Sequence, residues 1–285
     1  MKTYFEKSYL ISIAFLLAIA SCTEKIDIDL DNSYTRLVVE GAITTDTLAH
    51  TVKLSTTSSY YYNQPSPVVS GAQVSISDGA LTFNLTEKEP GVYQTAQFVH
   101  GIPGKTYTLN INLASPVGGY TEYTATSTLY PVASMDSIGL LFHPDWTKNG
   151  IWEIKCYVLE PPTEDYYRFL IFRNTELITD TLDEWLVTDD KFINGNYMNG
   201  ISIGYLQQGS PDQGLRTGDK VTVEVNSIGK EYANFLWEAQ AELFGSNPLF
   251  SGPPANVKGN ISNGAVGYFA AYSANRAFTI APEIR

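Results

Sequence analysis

The sequence predicts a mainly β protein in two parts, with one α-helix in the second part. From Arg36 onwards, short alternating runs rich in Val, Ile, Thr and Tyr recur between turn residues, which is typical of strands. Residues 229–244 carry apolar side chains at helical spacing. A turn-rich segment at 131–135 divides the β-rich region into residues 36–132 and 133–285.

Residues 36–132 are predicted to form an immunoglobulin- or fibronectin-like β-sandwich, because seven short strands fit into about a hundred residues. Asp78-Gly79 is a dipeptide favoured in tight hairpins. Tyr107 follows the Pro103-Gly104 turn, and this arrangement predicts a tyrosine corner, in which the hydroxyl bonds back to the turn. The strands are predicted at residues 37–43, 51–55, 73–77, 81–85, 91–95, 106–111 and 120–129.

Residues 133–285 are predicted to form a second β-rich domain. Two strands, at 152–159 and 166–174, are expected to pair as a long hairpin around a Pro-Pro sequence, and 221–225 is a further strand. The helix at about 229–244 is expected to pack its aromatic stripe on the sheet. The chain after residue 251 is predicted to form a Gly/Asn-rich loop followed by short strands.

The first 22 residues have the pattern of a lipoprotein signal. A positively charged start precedes an apolar run at 10–20, which is too short to span a bilayer comfortably. The run ends in Ile-Ala-Ser-Cys, which resembles a lipobox with cleavage between Ser21 and Cys22. An ordinary secretory signal beside a chance cysteine is the alternative. We predict a signal peptide at 1–21, a lipid-modified Cys22 and an acidic tether at 22–35.

Composition excludes several classes of function. The formal net charge is −12 and no Lys/Arg cluster occurs, so nucleic-acid binding is not expected. The same absence leaves the lipid as the expected attachment to a membrane. The three histidines lack the spacing of a zinc site, and no phosphate- or dinucleotide-binding glycine motif is present. No metal site and no cofactor are predicted.

No catalytic residue is predicted. Residues 200–204 match the G-x-S-x-G pattern, but that motif needs a strand-to-helix turn and a later histidine, and all three histidines precede it. Ser202 is therefore predicted to be a strand residue. The acidic pairs Asp183-Glu184 and Asp189-Asp190 are interpreted as solvated loops, since adjacency does not place two carboxyls across a cleft. Cys156 alternates with apolar neighbours and is interpreted as a small buried hydrophobe.

Aromatic residues in predicted loops are the candidates for ligand binding. Exposed aromatics at sandwich loops bind sugars, peptides or protein partners, so the ligand could be a small molecule, a peptide or a glycan. Packing in the core or at its rim is the alternative. The candidates are Tyr60, Tyr61, Tyr62, Trp146 and Trp185.

Blocks at both ends of the chain carry a resemblance to a known family. The first comprises Cys22 with Ile-Asp-Ile-Asp-Leu at 26–30, then Leu-Val-Val-Glu-Gly at 37–41. The second is Gly-Asn-Ile-Ser-Asn-Gly-Ala-Val-Gly-Tyr-Phe-Ala-Ala-Tyr at 259–272. Together they resemble the DUF4249 family of Bacteroidetes outer-membrane lipoproteins. The resemblance implies a lipoprotein often encoded beside TonB-dependent transporters, with an immunoglobulin-like N-terminal half and no known catalytic residues.

We therefore expect a non-enzymatic outer-membrane lipoprotein that faces the cell surface. It would act as a binding or accessory component of a TonB-dependent nutrient-uptake system, with the outer-membrane transporter as its expected partner. A structural or adhesive surface lipoprotein is the first alternative. The second is a glycan or peptide hydrolase whose carboxylates only the fold would bring together.

Overall fold

The computed structural model describes residues 35–58, 65–243 and 257–284, all within one compact unit. These residues form sixteen strands, a short 3-10 turn and one α-helix, so the predicted mainly β class is confirmed. The predicted signal peptide, Cys22 and the tether up to residue 34 lie outside the described residues. In the part of the chain that is described, no helix is long and apolar enough to cross a membrane.

The first part of the chain forms a sandwich of two antiparallel sheets. Its strands are β1 (Leu37–Thr44), β2 (Thr51–Thr56), β3 (Gln73–Ser77), β4 (Thr82–Asn84), β5 (Thr86–Glu89), β6 (Val92–Gln94), β7 (Thr106–Val117) and β8 (Tyr120–Thr128). One sheet has the order β5-β6-β2-β1 and the other β4-β3-β7-β8. Alternate apolar residues of both sheets fill one core. All seven predicted strands are present; the charged sequence of β5 gave no strand signal.

The predicted tyrosine corner is present in this sandwich. Tyr107 lies at the start of β7 and is almost fully buried. Its hydroxyl oxygen accepts a hydrogen bond from the backbone N–H of Ile102 at 2.8 Å. The tyrosine thereby satisfies a turn amide that would otherwise lose its hydrogen bond on burial.

The second part repeats the strand order of the first. Its strands are β9 (Met135–His143), β10 (Ile151–Leu159), β11 (Tyr166–Arg173), β12 (Glu176–Leu177), β13 (Leu186–Asp189), β14 (Tyr197–Gln207), β15 (Lys220–Ile228) and β16 (Val266–Ile280). One sheet has the order β14-β10-β9, and in the other β12 and β13 both pair with β11, followed by β15 and β16. A separate apolar core lies between them. Through the pairing of β16 with β1, the sheet that contains β15 and β16 is continuous with the β5-β6-β2-β1 sheet, and together they form one nine-stranded sheet. Two sandwiches of immunoglobulin/fibronectin-like order therefore follow one another without a repeat in the sequence.

The predicted hairpin of 152–159 with 166–174 is wrong. Both strands exist, but β10 pairs with β9 and β14, whereas β11 pairs with β12, β13 and β15. The segment 160–165 crosses from one sheet to the other. Periodicity shows that each strand buries one face, but it does not show whether two such strands share a sheet or face one another across a core.

The predicted short C-terminal strands are also wrong, because β16 is one strand of 15 residues. Its first half pairs in parallel with β1, from Val266 opposite Val38 to Tyr272 opposite Thr44. Its second half, from Ser273, pairs antiparallel with β15. The boundary at 132/133 stays a prediction, but the strand β16 is common to both sandwiches.

An ion-pair network joins the second half of β16 to the first sandwich. Nη2 of Arg276 lies 2.6 Å from a carboxylate oxygen of Asp46, in the loop after β1, and 2.6 Å from one of Glu224 in β15. Nη1 of Arg276 also donates to Asp46 at 2.9 Å. Hydrogen bonding by the guanidinium lowers the pKa of the Asp46 carboxyl. The two carboxylates thus share one cation at the junction of the sandwiches.

The helix α1 (Lys230–Leu243) lies between β15 and β16 in the chain. It buries Ala233 and Leu236, and the indole N–H of Trp237 donates to the Val187 carbonyl at 3.0 Å. Its Tyr232 ring lies 4.7 Å, centroid to centroid, from that of Tyr268 in β16. The prediction that this helix packs on the sheet is confirmed.

At Gly267 in β16, an added side chain would clash with the backbone of the paired strand β1. Its φ of 94° is unfavourable for other residues, and a Cβ there would lie 2.1 Å from the Val39 carbonyl oxygen. Gly264 also has a positive φ, but nothing lies within 4 Å of its Cβ position. We expect Gly264→Ala to lower the free energy of unfolding by about 1 kcal/mol. Gly267→Ala should cost at least about 2 kcal/mol more, because β1 and β16 must separate.

Urea denaturation followed by circular dichroism measures both variants. Equal costs for the two substitutions would contradict the close pairing of β1 with β16.

Candidate functional site

The outer face of the β14-β10-β9 sheet exposes a group of aromatic and apolar side chains. Alternate residues of β10 turn inward, including Trp152 and Ile154, so the residues between them face outward. On the outward face, Glu153 of β10 is flanked by Leu141 of β9 and Tyr205 of β14. We define the aromatic platform as Leu141, His143, Trp146, Glu153 and Tyr205.

The rings of the platform are stacked at its edge. Trp146 lies in the loop between β9 and β10 and is 55% exposed. Its indole stacks on the His143 imidazole with centroids 3.8 Å apart and ring planes 10° apart. The Tyr205 ring, 50% exposed, lies 6.0 Å from the indole. The rings of Trp146, in the loop, and His143, at the end of β9, thus form a flat stack beside Tyr205.

A carboxylate orients the histidine of the platform. Nε2 of His143 lies 2.8 Å from one oxygen of Glu153, and the other oxygen accepts the Ser202 hydroxyl. Lys155 Nζ lies 3.6 Å from the same carboxylate. The hydrogen bonds from Ser202 and His143 lower the pKa of the Glu153 carboxyl. Glu153 is therefore ionised at neutral pH and holds the imidazole against the indole.

The Ser202 hydroxyl does not have the surroundings of a catalytic nucleophile. Ser202 lies within β14, as predicted, and not at a strand-to-helix turn. The carboxylate of Glu153 stands between the serine and His143. In a serine hydrolase the histidine stands between the serine and the acid, so this order of groups differs from a catalytic triad.

Of the other aromatic candidates, Trp185 lies in the part of the chain that the structure describes, and the three tyrosines do not. The indole N–H of Trp185 donates to the Thr179 carbonyl at 3.0 Å, and the buried guanidinium of Arg168 lies 4.7 Å from its ring centroid. Trp185 is therefore a partly buried residue that packs against the protein's own apolar residues and Arg168. The candidates Tyr60, Tyr61 and Tyr62, like the cleavage site at Ser21 and Cys22, lie outside the described residues.

Two further interpretations from sequence have different outcomes. Cys156 is fully buried, so its interpretation as a small buried hydrophobe is confirmed, and burial raises the pKa of its thiol to about 12. Asp190 is only 1% exposed, so its interpretation as part of a solvated loop is wrong. Its backbone N–H donates to the Asp165 carbonyl at 3.2 Å, which draws the residue into the fold. Glu160, Asp165 and Asp190 form a group of carboxylates able to hold a metal ion.

The platform contains four residues that the sequence analysis missed: Leu141, His143, Glu153 and Tyr205. Period-two alternation places each of them outward once its strand is assigned. What brings them together is the register of β10 against β9 and β14, and no local sequence signal encodes that pairing.

The fold and this site define a class: a protein of two fibronectin-like sandwiches that displays an aromatic face on the second. The chain belongs to the DUF4249 family, described as a domain of unknown function, whose sequence model matches residues 23–277. The resemblance seen in the terminal sequence blocks is thus confirmed at the level of the family. A comparison with curated proteins gives no match.

A search of solved structures matches a two-domain fibronectin type-III segment from chicken tenascin. It is 14% identical, with a TM-score of 0.20, over 68% of this chain and 90% of that chain. A cytokine receptor complex is 10% identical, with a TM-score of 0.23, over 84% of this chain and 94% of that chain. Neither similarity says anything about function, and the fold class rests on the sheet order described above.

The exposure of Trp146 predicts that its side chain can be removed without harm to the fold. We expect Trp146→Ala to change the free energy of unfolding by less than about 0.5 kcal/mol. The matched variant Trp152→Ala, in the core beneath, should cost about 3–5 kcal/mol. Urea denaturation compares the two. A large loss of stability in Trp146→Ala would mean that the indole is a structural residue.

Proposed function

We propose that this protein is a lipid-anchored binding protein on the surface of the outer membrane that docks to a TonB-dependent transporter through its aromatic platform. The observation that carries the proposal is the exposed Trp146 indole, which is stacked on the partly buried His143 beside the exposed Tyr205. The proposed location rests on the signal pattern at residues 1–22 and on the family resemblance, and the proposed transporter partner rests on the family resemblance.

The composition of the platform supports binding. Exposed aromatic side chains keep a large apolar area in contact with water, and removing that area from water on binding is favourable. Tryptophan and tyrosine are also the residues that most often dominate the energy of protein interfaces. Because Glu153 fixes the imidazole under the indole, little side-chain entropy is lost when a partner covers the rings.

The shape of the platform favours a protein partner over a small molecule. Small ligands bind in concave sites that enclose most of their surface. The platform is instead the outer face of a sheet, and its apolar residues Leu141 and Tyr205 stand on neighbouring strands beside Glu153. A further exposed apolar residue, Tyr197, extends this face along β14, where it pairs with the exposed Leu159 of β10. Glu153 at the centre of this face is buried and already hydrogen-bonded within the protein, so the surface offered to a partner is mainly aromatic and apolar, as in the centre of a protein interface.

Co-purification from native outer membranes tests the proposed partner. A tagged wild-type protein, purified after mild solubilisation, should bring down a TonB-dependent transporter in stoichiometric amount. Trp146→Ala should reduce the recovered transporter at least about tenfold, as expected for an interface hot spot. Tyr120→Ala, which removes an exposed aromatic ring from β8 of the first sandwich, should leave recovery unchanged.

Two results would contradict the proposal. Recovery of the protein alone, under conditions that preserve other transporter complexes, would favour an independent binder, an adhesin or an enzyme. Recovery of the transporter with wild type and Trp146→Ala alike would keep the partner but exclude the platform as its docking surface.

The lipid anchor is tested separately by Cys22→Ala. Without an acylated cysteine, the protein should move from the membrane fraction to the soluble fraction and lose its sensitivity to protease added outside intact cells. Cell fractionation with immunoblotting measures the distribution. Membrane retention equal to that of wild type would contradict the lipoprotein assignment.

A further inference from the structure

Three carboxylates meet at one end of the second sandwich. Glu160 and Asp165 lie on the segment that crosses from β10 to β11, and Asp190 directly follows β13. One carboxylate oxygen from each residue lies within 4.8 Å of those of the other two. We call these three residues the carboxylate cluster. Glu160 and Asp190 are buried, and Asp165 is half-buried.

Asp190 is the unusual member of the cluster. Its side chain is 99% buried, yet neither carboxylate oxygen has a hydrogen-bond partner among the described residues. Among the same residues, no Lys, Arg or His nitrogen lies within 4 Å of any carboxylate of the cluster. Burying a carboxylate without a hydrogen bond or an opposite charge is among the most costly arrangements in a protein.

The surroundings of the cluster fix the orientation of the other two carboxylates. The Tyr167 hydroxyl donates to Oε1 of Glu160 at 2.5 Å, and the Thr163 hydroxyl donates to Oδ2 of Asp165 at 2.5 Å. Each carboxylate keeps a second oxygen that these hydroxyls do not occupy. Outer groups that orient ligating carboxylates in this way are typical of metal sites.

The loops that carry the cluster are already joined through their backbones. The Gly195 N–H donates to the Pro161 carbonyl at 3.1 Å, and the Glu160 N–H donates to the Asn196 carbonyl at 3.0 Å. The Asn194 side chain donates to the Thr163 carbonyl at 2.7 Å. These hydrogen bonds hold the β10–β11 crossing against the segment that follows β13 and do not involve the three carboxylates themselves.

The donor set indicates which kind of ion fits. All three donors are carboxylate oxygens, which suit hard cations and not the softer transition metals. Ca²⁺ binds six to eight oxygens at about 2.3–2.6 Å, so the oxygens around one ion lie up to about 5 Å apart. The 4.8 Å limit of the cluster falls within that span. Ca²⁺ also accepts irregular geometry, whereas Mg²⁺ requires a near-ideal octahedron.

We propose that Glu160, Asp165 and Asp190 bind one Ca²⁺ ion, which ties the β10–β11 crossing to the segment after β13, with water completing its coordination. Such an ion supplies the positive charge and the ligand contacts that the Asp190 carboxylate lacks. This site is separate from the aromatic platform, and its test does not depend on the function proposed for that platform.

Titration of the purified full-length protein with CaCl₂, after removal of metal with EDTA, tests this proposal. Calorimetry should show one Ca²⁺ bound per chain. The melting temperature should rise by about 5 °C at a free Ca²⁺ concentration 100 times Kd. MgCl₂ should bind at least about tenfold more weakly. Mg²⁺ binding as tight as that of Ca²⁺ would overturn the choice of ion.

Variants locate the site. Asp190→Asn should raise the Kd for Ca²⁺ at least about tenfold, because affinity follows the number of charged ligands. In EDTA the same variant should melt above wild type, since a neutral amide removes a buried charge. Asp183→Asn, at an exposed acid on the neighbouring 3-10 turn, should change neither value. Asp165→Asn, at the least buried member, provides a second test should Asp190→Asn not fold.

Two results would overturn the site. If wild type gives no heat and no change in melting temperature with millimolar CaCl₂, Asp190 is held neutral by a proton instead. If Asp190→Asn and Asp165→Asn both bind Ca²⁺ as tightly as wild type, the ion binds elsewhere.

Discussion

The pairing of one strand, β16, with both β1 and β15 is the constraint on which the rest of the structure depends. Residues 266–272 extend the sheet of the first sandwich, and residues 273–280 extend a sheet of the second. Phe269 is buried in the first core, whereas Ala277 packs against the second. Because β16 is one continuous strand that pairs with both β1 and β15, it cannot separate from one sandwich without disturbing its pairing in the other.

Electrostatics reinforce this coupling at the point where the strand changes partner. Arg276 binds Asp46 of the first sandwich and Glu224 of the second, so one guanidinium neutralises a carboxylate from each side. The Asn226 amide continues the network by donating to Glu224 and accepting from the buried Arg168. The platform and the carboxylate cluster both lie on the second sandwich, and neither contains a residue of this network. Binding chemistry and structural coupling therefore use different residues of the fold.

The sequence predicted the first sandwich well because its information is local. Alternation and turn residues identify seven strands, and Tyr107 follows its turn at the spacing of a tyrosine corner. The second half depends on long-range pairing that periodicity does not encode. The Ala-rich stretch of β16 has low strand propensity. It is held in place by pairing with β1, which lies more than 200 residues earlier in the chain. Trp146 could be predicted as a binding candidate because it lies in a turn, whereas Glu153 and Tyr205 come together only through the register of β10 against β14. The acidic neighbours of Asp190 suggest a solvated loop, but the fold buries this residue.

The most direct test of the shared strand is hydrogen–deuterium exchange with mass spectrometry at increasing urea concentration. If β16 couples the sandwiches, peptides from β1 and β2 should lose protection at the same urea concentration as peptides from β11 and β15. Peptides from either half of β16 should follow the same transition. Loss of protection in one sandwich at a urea concentration where the other stays protected would contradict the account.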